Sequence, residues 1–212
     1  MTAESSRTEA RLDIAAAALL ALATVATAWS GYQASRWNGE QATAFSRASA
    51  MRIESAKAAG LADSQTQIDV ATFIQWVDAY ALQQTELTEF YYERFRPEFR
   101  PAMDAWIAAM PLRNPDAPLT PFAMPEYQLE SRAESERLET EAEAWSATAR
   151  TNVQRATNYV LGVVLFAAAL FFAGMSTKLP SRRLRMFMLG FGVVVFLVTV
   201  GWIATFPVSL SI

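Results

Sequence analysis

The chain has 212 residues, 52% of them hydrophobic and 18% charged, with 18 basic and 21 acidic side chains and a net charge of −3. That acidic balance excludes a nucleic-acid binder, which needs a basic stripe against phosphates. The absence of cysteine and histidine removes disulfide frames, thiol nucleophiles, imidazole bases and the commonest zinc and haem ligands.

Three stretches, residues 14–35, 156–177 and 186–212, carry no charged side chain. Crossing roughly 30 Å of hydrocarbon takes about 20 apolar residues at about 1.5 Å each. The stretches therefore predict transmembrane helices at 14–35, 156–177 and 186–206, flanked by a cytoplasmic N-terminus at 1–13, a basic loop at 178–185 and a short tail at 207–212. The fold class expected is all-α and integral to a membrane. The first span is alanine-rich, and a cleaved signal peptide is its alternative, because Arg7 and Arg11 lead it and Ala26-Thr27-Ala28 resembles a cleavage site. Glu4, Glu9 and Asp13 spoil such a basic leader and favour a retained helix.

Lys178, Arg182, Arg183 and Arg185 sit in the loop between spans 2 and 3 with no acid among them. Short loops rich in Lys and Arg stay cytoplasmic, which puts residues 36–155 and the tail outside. Trp29, Tyr32, Tyr159 and Trp202 fall near the outer span ends, as an interfacial aromatic belt does. Arg outnumbers Lys by 16 to 2, a bias of GC-rich bacterial genomes, so the compartments expected are the inner membrane and the periplasm.

Residues 36–155 carry 12 basic and 18 acidic side chains in a helical pattern. Trp37, Gln41, Ala44, Ala48, Met51, Ser55 and Ala58 alternate steps of four and three along an extension of span 1. Gly60 is expected to stop that helix, and Ser64-x-x-Gln67 reads as a capping box for the next. Phe73, Val77, Tyr80, Gln84, Leu87 and Tyr91 share one face of that second helix. The tandem Phe95-Arg96-Pro97-Glu98-Phe99-Arg100-Pro101 forces a turn, and a short amphipathic helix over 102–110 follows. Pro111, Pro115, Pro118, Pro121 and Pro125 make 111–125 an extended connector. Pro125 and Glu126 suit the first turn of a long helix in which Leu138, Ala142, Trp145, Ala149, Val153, Ala156 and Val160 keep the four-three spacing into span 2. The two seams are expected to pair antiparallel in coiled-coil fashion, each stalk projecting about 30–40 Å.

The order Trp29-Ser30-Gly31-Tyr32-Gln33-Ala34, Glu93 to Pro101, Asn114-Pro115-Asp116-Ala117-Pro118 and Pro121-Phe122-Ala123-Met124-Pro125-Glu126-Tyr127 resembles a set of uncharacterised bacterial three-span membrane proteins over nearly the whole chain. The resemblance implies the topology and carries no activity.

Four groups of side chains are candidates for function. Glu136, Glu139 and Glu143, within the run from Glu134, share a helix face that would offer oxygen ligands to a cation; without a calcium-loop spacing or glycine turn the favoured reading is a solvated surface offset by Arg132 and Arg137, and no metal or cofactor is assigned. Asp63, Asp69 and Asp78 would be the carboxylates of an acid/base pair, although a helix start accounts for the first two. Arg94, Phe95, Arg96, Phe99, Arg100 and Trp106 combine guanidinium groups with aromatics as binding hot spots do, against a structural knot in which the arginines pair with Glu93 and Glu98. Ala17, Ala21, Thr24 and Ala28 on span 1, and Gly190, Val194, Leu197 and Gly201 on span 3, form small-residue rows suited to helix packing or, on span 1, to a pore face. The other polar span residues are Thr27, Asn158, Thr199 and Thr205; no charged relay or paired broken helix points to a pump or transporter.

The function expected is a structural or accessory membrane protein that self-associates or docks on a larger membrane complex through its outer helical domain, with the lipid bilayer as its medium and no nucleic acid as partner. A homo-oligomeric channel lined by span 1 is the alternative. A membrane-anchored enzyme using carboxylates alone comes third, the chain having no catalytic motif.

Overall fold

The computed structural model describes residues 3–111 and 113–209, with side chains from Glu9 onward. The Glu4 and Arg7 side chains and the tail residues 210–212 lie outside the described part. The described residues form five α-helices: α1 (Ala3–Ala81), α2 (Thr85–Glu93), α3 (Arg100–Ala108), α4 (Glu130–Ser176) and α5 (Arg182–Ile203), with a 3-10 turn at Pro121–Ala123. No strand occurs among the described residues. Helices α1, α4 and α5 are each long and apolar enough to cross a membrane.

The chain divides into two compact units, Met1–Ser46 with Trp145–Ile212, and Arg47–Ala144. The first is a three-helix bundle. Ala16, Leu19, Ala23, Ser30, Gln33, Ala34 and Trp37 bury one face of α1; Ala156, Tyr159, Phe166, Ala169 and Ala173 do so on α4; and Leu189, Thr199 and Ile203 on α5. Helix α5 runs antiparallel to α4, with Phe172 on Phe191 and Phe166 on Phe196 at centroid distances of 4.7 and 5.6 Å. It runs parallel to α1, since Asp13 pairs with Arg185 at one end and Gln33 bonds Ser209 beyond the other. Arg185, expected in the basic loop, lies at the start of α5 and is partly neutralised by Asp13.

The two small-residue rows do not build this bundle. Ala17, Ala21, Thr24 and Ala28 are exposed, as are Gly190, Val194, Leu197 and Gly201. On α5 the close approach is instead at Gly192, where an added Cβ would lie 3.3 Å from the Ala169 carbonyl oxygen and 3.3 Å from Phe172 Cβ.

In the second unit α1 and α4 also run antiparallel, because Ser55 Oγ donates to the Ser135 carbonyl at 3.0 Å and Ser131 Oγ to Gln65 Oε1 at 2.7 Å. The expected seams are buried or half-buried from Trp37 to Ala58 and from Leu138 to Ala149, but Val153 and Val160 are exposed and Asn152, Ala156 and Tyr159 take the inward positions.

Several expected boundaries are corrected. Gly60 does not stop α1: a mid-helix glycine costs only about 1 kcal/mol, and the apolar seam continues beyond it through Ala62, Phe73 and Trp76. Ser64 is then a mid-helix residue, its Oγ bonded back to the Gly60 carbonyl at 2.9 Å rather than capping anything. The break comes at Gln83, so the face from Phe73 to Tyr91 is divided between α1 and α2. The short helix begins two residues earlier than expected, with Pro101 in its first turn where no backbone donor is needed. The connector is a series of turns rather than an extended strand, and Pro125 and Glu126 precede α4 instead of opening it, since Tyr127 is drawn inward.

Candidate functional site: twin grooves around Trp76 and Tyr80

The core of the second unit is aromatic. Phe73, Trp76, Phe95, Phe99, Met103 and Trp106 are buried together, with Phe122 and Tyr127 packed on them. Phe73 meets Trp106 edge-on at 5.4 Å, and Phe99 stacks on Phe122 at 5.1 Å, both favourable quadrupole arrangements. The aromatics of the expected recognition patch, Phe95, Phe99 and Trp106, therefore serve as core.

The three arginines of that patch are committed to structure as well. Arg94 Nη1 donates to the Phe90 carbonyl at 3.0 Å and its guanidinium lies 3.4 Å over the Phe90 ring. Arg100 Nη2 donates to the Glu93 carbonyl at 2.8 Å. Both thus satisfy carbonyls that the end of α2 leaves without helical partners. Arg96 bridges Glu98 and Asp69.

Asp69 is a buried carboxylate in the middle of α1, not at a helix start. Its Oδ2 accepts from Arg96 Nη1 at 2.8 Å and from the Tyr127 hydroxyl at 3.0 Å, while Oδ1 has no partner. Burial holds its pKa above the ordinary carboxylate value, opposed by the Tyr127 hydrogen bond and by Arg96. The same burial raises Tyr127. Asp63 pairs with Arg132 at 3.1 Å on the surface, and Asp78 is exposed. Of the candidate glutamates of α4, Glu134 and Glu141 pair with Arg137 and Glu143 with Arg52, while Glu136 and Glu139 are exposed. The Arg137 contact lowers Glu134's pKa. Among the described residues no three acidic side chains gather in a metal-binding arrangement.

The surface feature that sequence reasoning missed lies where α1 ends. Trp76 and Tyr80 stack at 5.2 Å with rings 13° from parallel, forming a fin between two grooves. One groove, of about 730 Å³, adds Gln83, Thr85, Glu89 and Tyr92. The other, of about 340 Å³, adds Val77, Ile107, Met110 and Arg113. The residues with positive φ that are not glycine, among those described, are Gln83 at 58° and Met110 at 51°, and each lines one groove.

Their local reasons differ. Gln83 occupies the left-handed position of a Schellman motif: its N–H reaches the Tyr80 carbonyl and the N–H of Gln84 reaches Ala79, each at 3.0 Å. Met110 ends α3 in the same conformation, but Pro111 follows and supplies no N–H, so the second bond of the motif cannot form. Instead the Met110 carbonyl accepts from Arg113 and Asn114, both at 2.9 Å. Trp106 Nε1 donates to the Pro118 carbonyl at 2.7 Å, fastening the connector to the core. No motif in the sequence marks these non-glycine turns.

No family model, curated protein or solved structure matches the chain.

Proposed function

We propose that this is a three-span integral membrane protein whose second unit is a docking module outside the bilayer. The observation that carries the reading is the direction of its apolar side chains. In the apolar windows of α1, α4 and α5 only 17%, 33% and 17% is buried, so side chains such as Ile14, Val25, Phe187 and Val198 point away from the bundle. In water that surface would be an exposed apolar patch far beyond what soluble monomers tolerate; in lipid it is the ordinary exterior. Lys178 between α4 and α5, with Arg182, Arg183 and Arg185 at the start of α5, supports a cytoplasmic location for this turn, and hence a periplasmic second unit in a bacterial inner membrane. The grooves beside Trp76 and Tyr80, one of them lined by exposed Val77, Ile107 and Met110, support a role in protein contact, since aromatic anchors dominate binding hot spots. The role is structural or accessory: the protein self-associates or joins a larger membrane assembly.

A chain without native cysteine permits a direct test. In intact cells Ala56→Cys, at an exposed position of the second unit, is expected to react with a membrane-impermeant maleimide, and Lys178→Cys only after lysis. The reverse pattern, or release of the protein by carbonate, overturns the membrane reading. A protein that stays monomeric in mild detergent and crosslinks to nothing in cells overturns the docking role.

A further inference from the structure

Leu119 is 93% exposed, on a connector otherwise rich in proline. An apolar side chain standing that far into solvent offers nearly its whole surface for favourable burial against a partner. It is also held rigidly. The neighbouring Pro118 carbonyl is pinned by the Trp106 indole, and beyond Thr120 the residues Pro121–Ala123 form the 3-10 turn. A side chain ordered in advance loses little further entropy on binding.

The same unit holds an apolar groove without an occupant, lined by Trp76, Val77, Tyr80, Ile107 and Met110, with Arg113 as its one charged lining residue. Three residues after Arg113 comes Asp116. Both are exposed, and neither makes an ion pair with a described residue. A groove, a protruding leucine and an unpaired charge of each sign thus sit on one short stretch, 107–119, and its neighbour Trp76–Tyr80.

A two-fold interface places the same patch on both partners, so that residue i meets j and j meets i. We infer that two copies of this chain dimerise through this surface, Leu119 of each copy entering the other's groove and Arg113 of each facing Asp116 of the other. The charge pattern is self-complementary only in that reciprocal sense: Arg113 beside Arg113 would repel, whereas the crossed pairing neutralises both ends. The inference rests on the docking reading above and names its partner as a second copy.

The test uses the full chain in mild detergent, with molar mass measured by light scattering. Wild type is expected at twice the 23.4 kDa protomer mass. Leu119→Asp, a change at an exposed position that leaves the fold intact by circular dichroism, is expected to weaken the dimer about 30-fold, as loss of a hot-spot side chain does. Arg113→Asp alone is expected to dissociate it, and the combined Arg113→Asp, Asp116→Arg exchange to restore it. Oxidation of Ile107→Cys, Leu119→Cys is expected to give a covalent dimer and no longer ladder. A dimer indifferent to Leu119→Asp, a charge exchange without rescue, a polymeric ladder, or a disulfide confined within one chain overturns this placement while leaving self-association standing. A monomeric wild type overturns self-association itself, and crosslinking in cells then decides whether docking on another protein survives.

Discussion

Arg96 Nη1 donates to Asp69 Oδ2 at 2.8 Å, and that carboxylate has no exposed surface. The pair ties the Phe-Arg-Pro turn to the middle of α1, and the Tyr127 hydroxyl ties the entry to α4 to the same oxygen. Removing one member of a buried pair strands the other, at roughly 3–5 kcal/mol. Asp69→Ala is expected to fall at the low end of that range in denaturant unfolding, because Arg96 keeps Glu98. An unchanged midpoint would show the pair to be incidental.

Asp69 also sets a pH dependence whose sign is fixed by its raised pKa. A carboxylate less favourable in the folded than in the unfolded chain imposes a penalty that is full above the folded pKa. The penalty shrinks as pH falls through that value and is gone below the unfolded value, near 3.8. Asp69→Asn keeps an oxygen for both donors and escapes the penalty. It is therefore expected to match or exceed wild-type stability at neutral pH, with the gap closing on acidification in paired thermal melts. A gap that widens on acidification contradicts the assignment.

Gln83 holds φ at 58° without being glycine, a conformation that costs an L-residue roughly 1–2 kcal/mol. Gln83→Gly is expected to raise stability by up to about 1 kcal/mol, after allowance for the glycine's greater unfolded-state entropy. Met110→Gly is expected to gain less, since Met110 also lines the apolar groove. Calorimetry of the two variants side by side checks the ranking.

Much of the architecture was legible in the sequence, and the misses trace to particular residues. Charge-free runs located all three long apolar helices because exclusion of charge from lipid-length segments is a strong constraint. The four-three seam found the inward face of α1 from Trp37 to Ala58. Continued by the same steps, it meets Ala62, Gln65, Asp69, Thr72 and Trp76, placing Asp69 as a carboxylate on a buried face. Gly60 hides the extension because a glycine in a helical run reads as a stop, although a local preference of about 1 kcal/mol yields to a packed seam. The arginines near Pro97 and Pro101 were legible as a unit, but the division between core aromatics and capping guanidinium groups depends on backbone carbonyls that residue type does not display. The grooves depend on two non-glycine left-handed turns, for which sequence offers no signal.

On α5 the two glycines nearest each other have opposite environments. A Cβ at Gly192 would press on the Ala169 carbonyl oxygen and Phe172, whereas one at Gly190 would meet nothing within 4 Å. Gly192→Leu is therefore expected to disrupt the packing of α5 on α4, seen as lower thermal stability in detergent, and Gly190→Leu to leave the single-chain bundle unchanged. Equal effects would contradict the helix rotation described here.

The orientation of α1 sets up a test between the docking and channel readings of span 1. Ala17, Ala21, Thr24 and Ala28 lie on the exposed side of α1, opposite Ala16, Leu19 and Ala23, so the row is free to meet either lipid, another copy or water. The hydroxyl donors on this side are bonded within the helix: Thr24 Oγ1 donates to the Leu20 carbonyl and Thr27 Oγ1 to Ala23, each at 2.7 Å. Such back-bonding satisfies the hydroxyl donor and makes the row suited to close contact with apolar neighbours. Single cysteines introduced in turn over residues 14–35 are accordingly expected to resist water-soluble thiol reagents throughout the central part of the span, with reaction confined to its ends. A stripe of reactive positions recurring every three to four residues at 17, 21, 24 and 28 would overturn that expectation and make span 1 the wall of a water-filled pore.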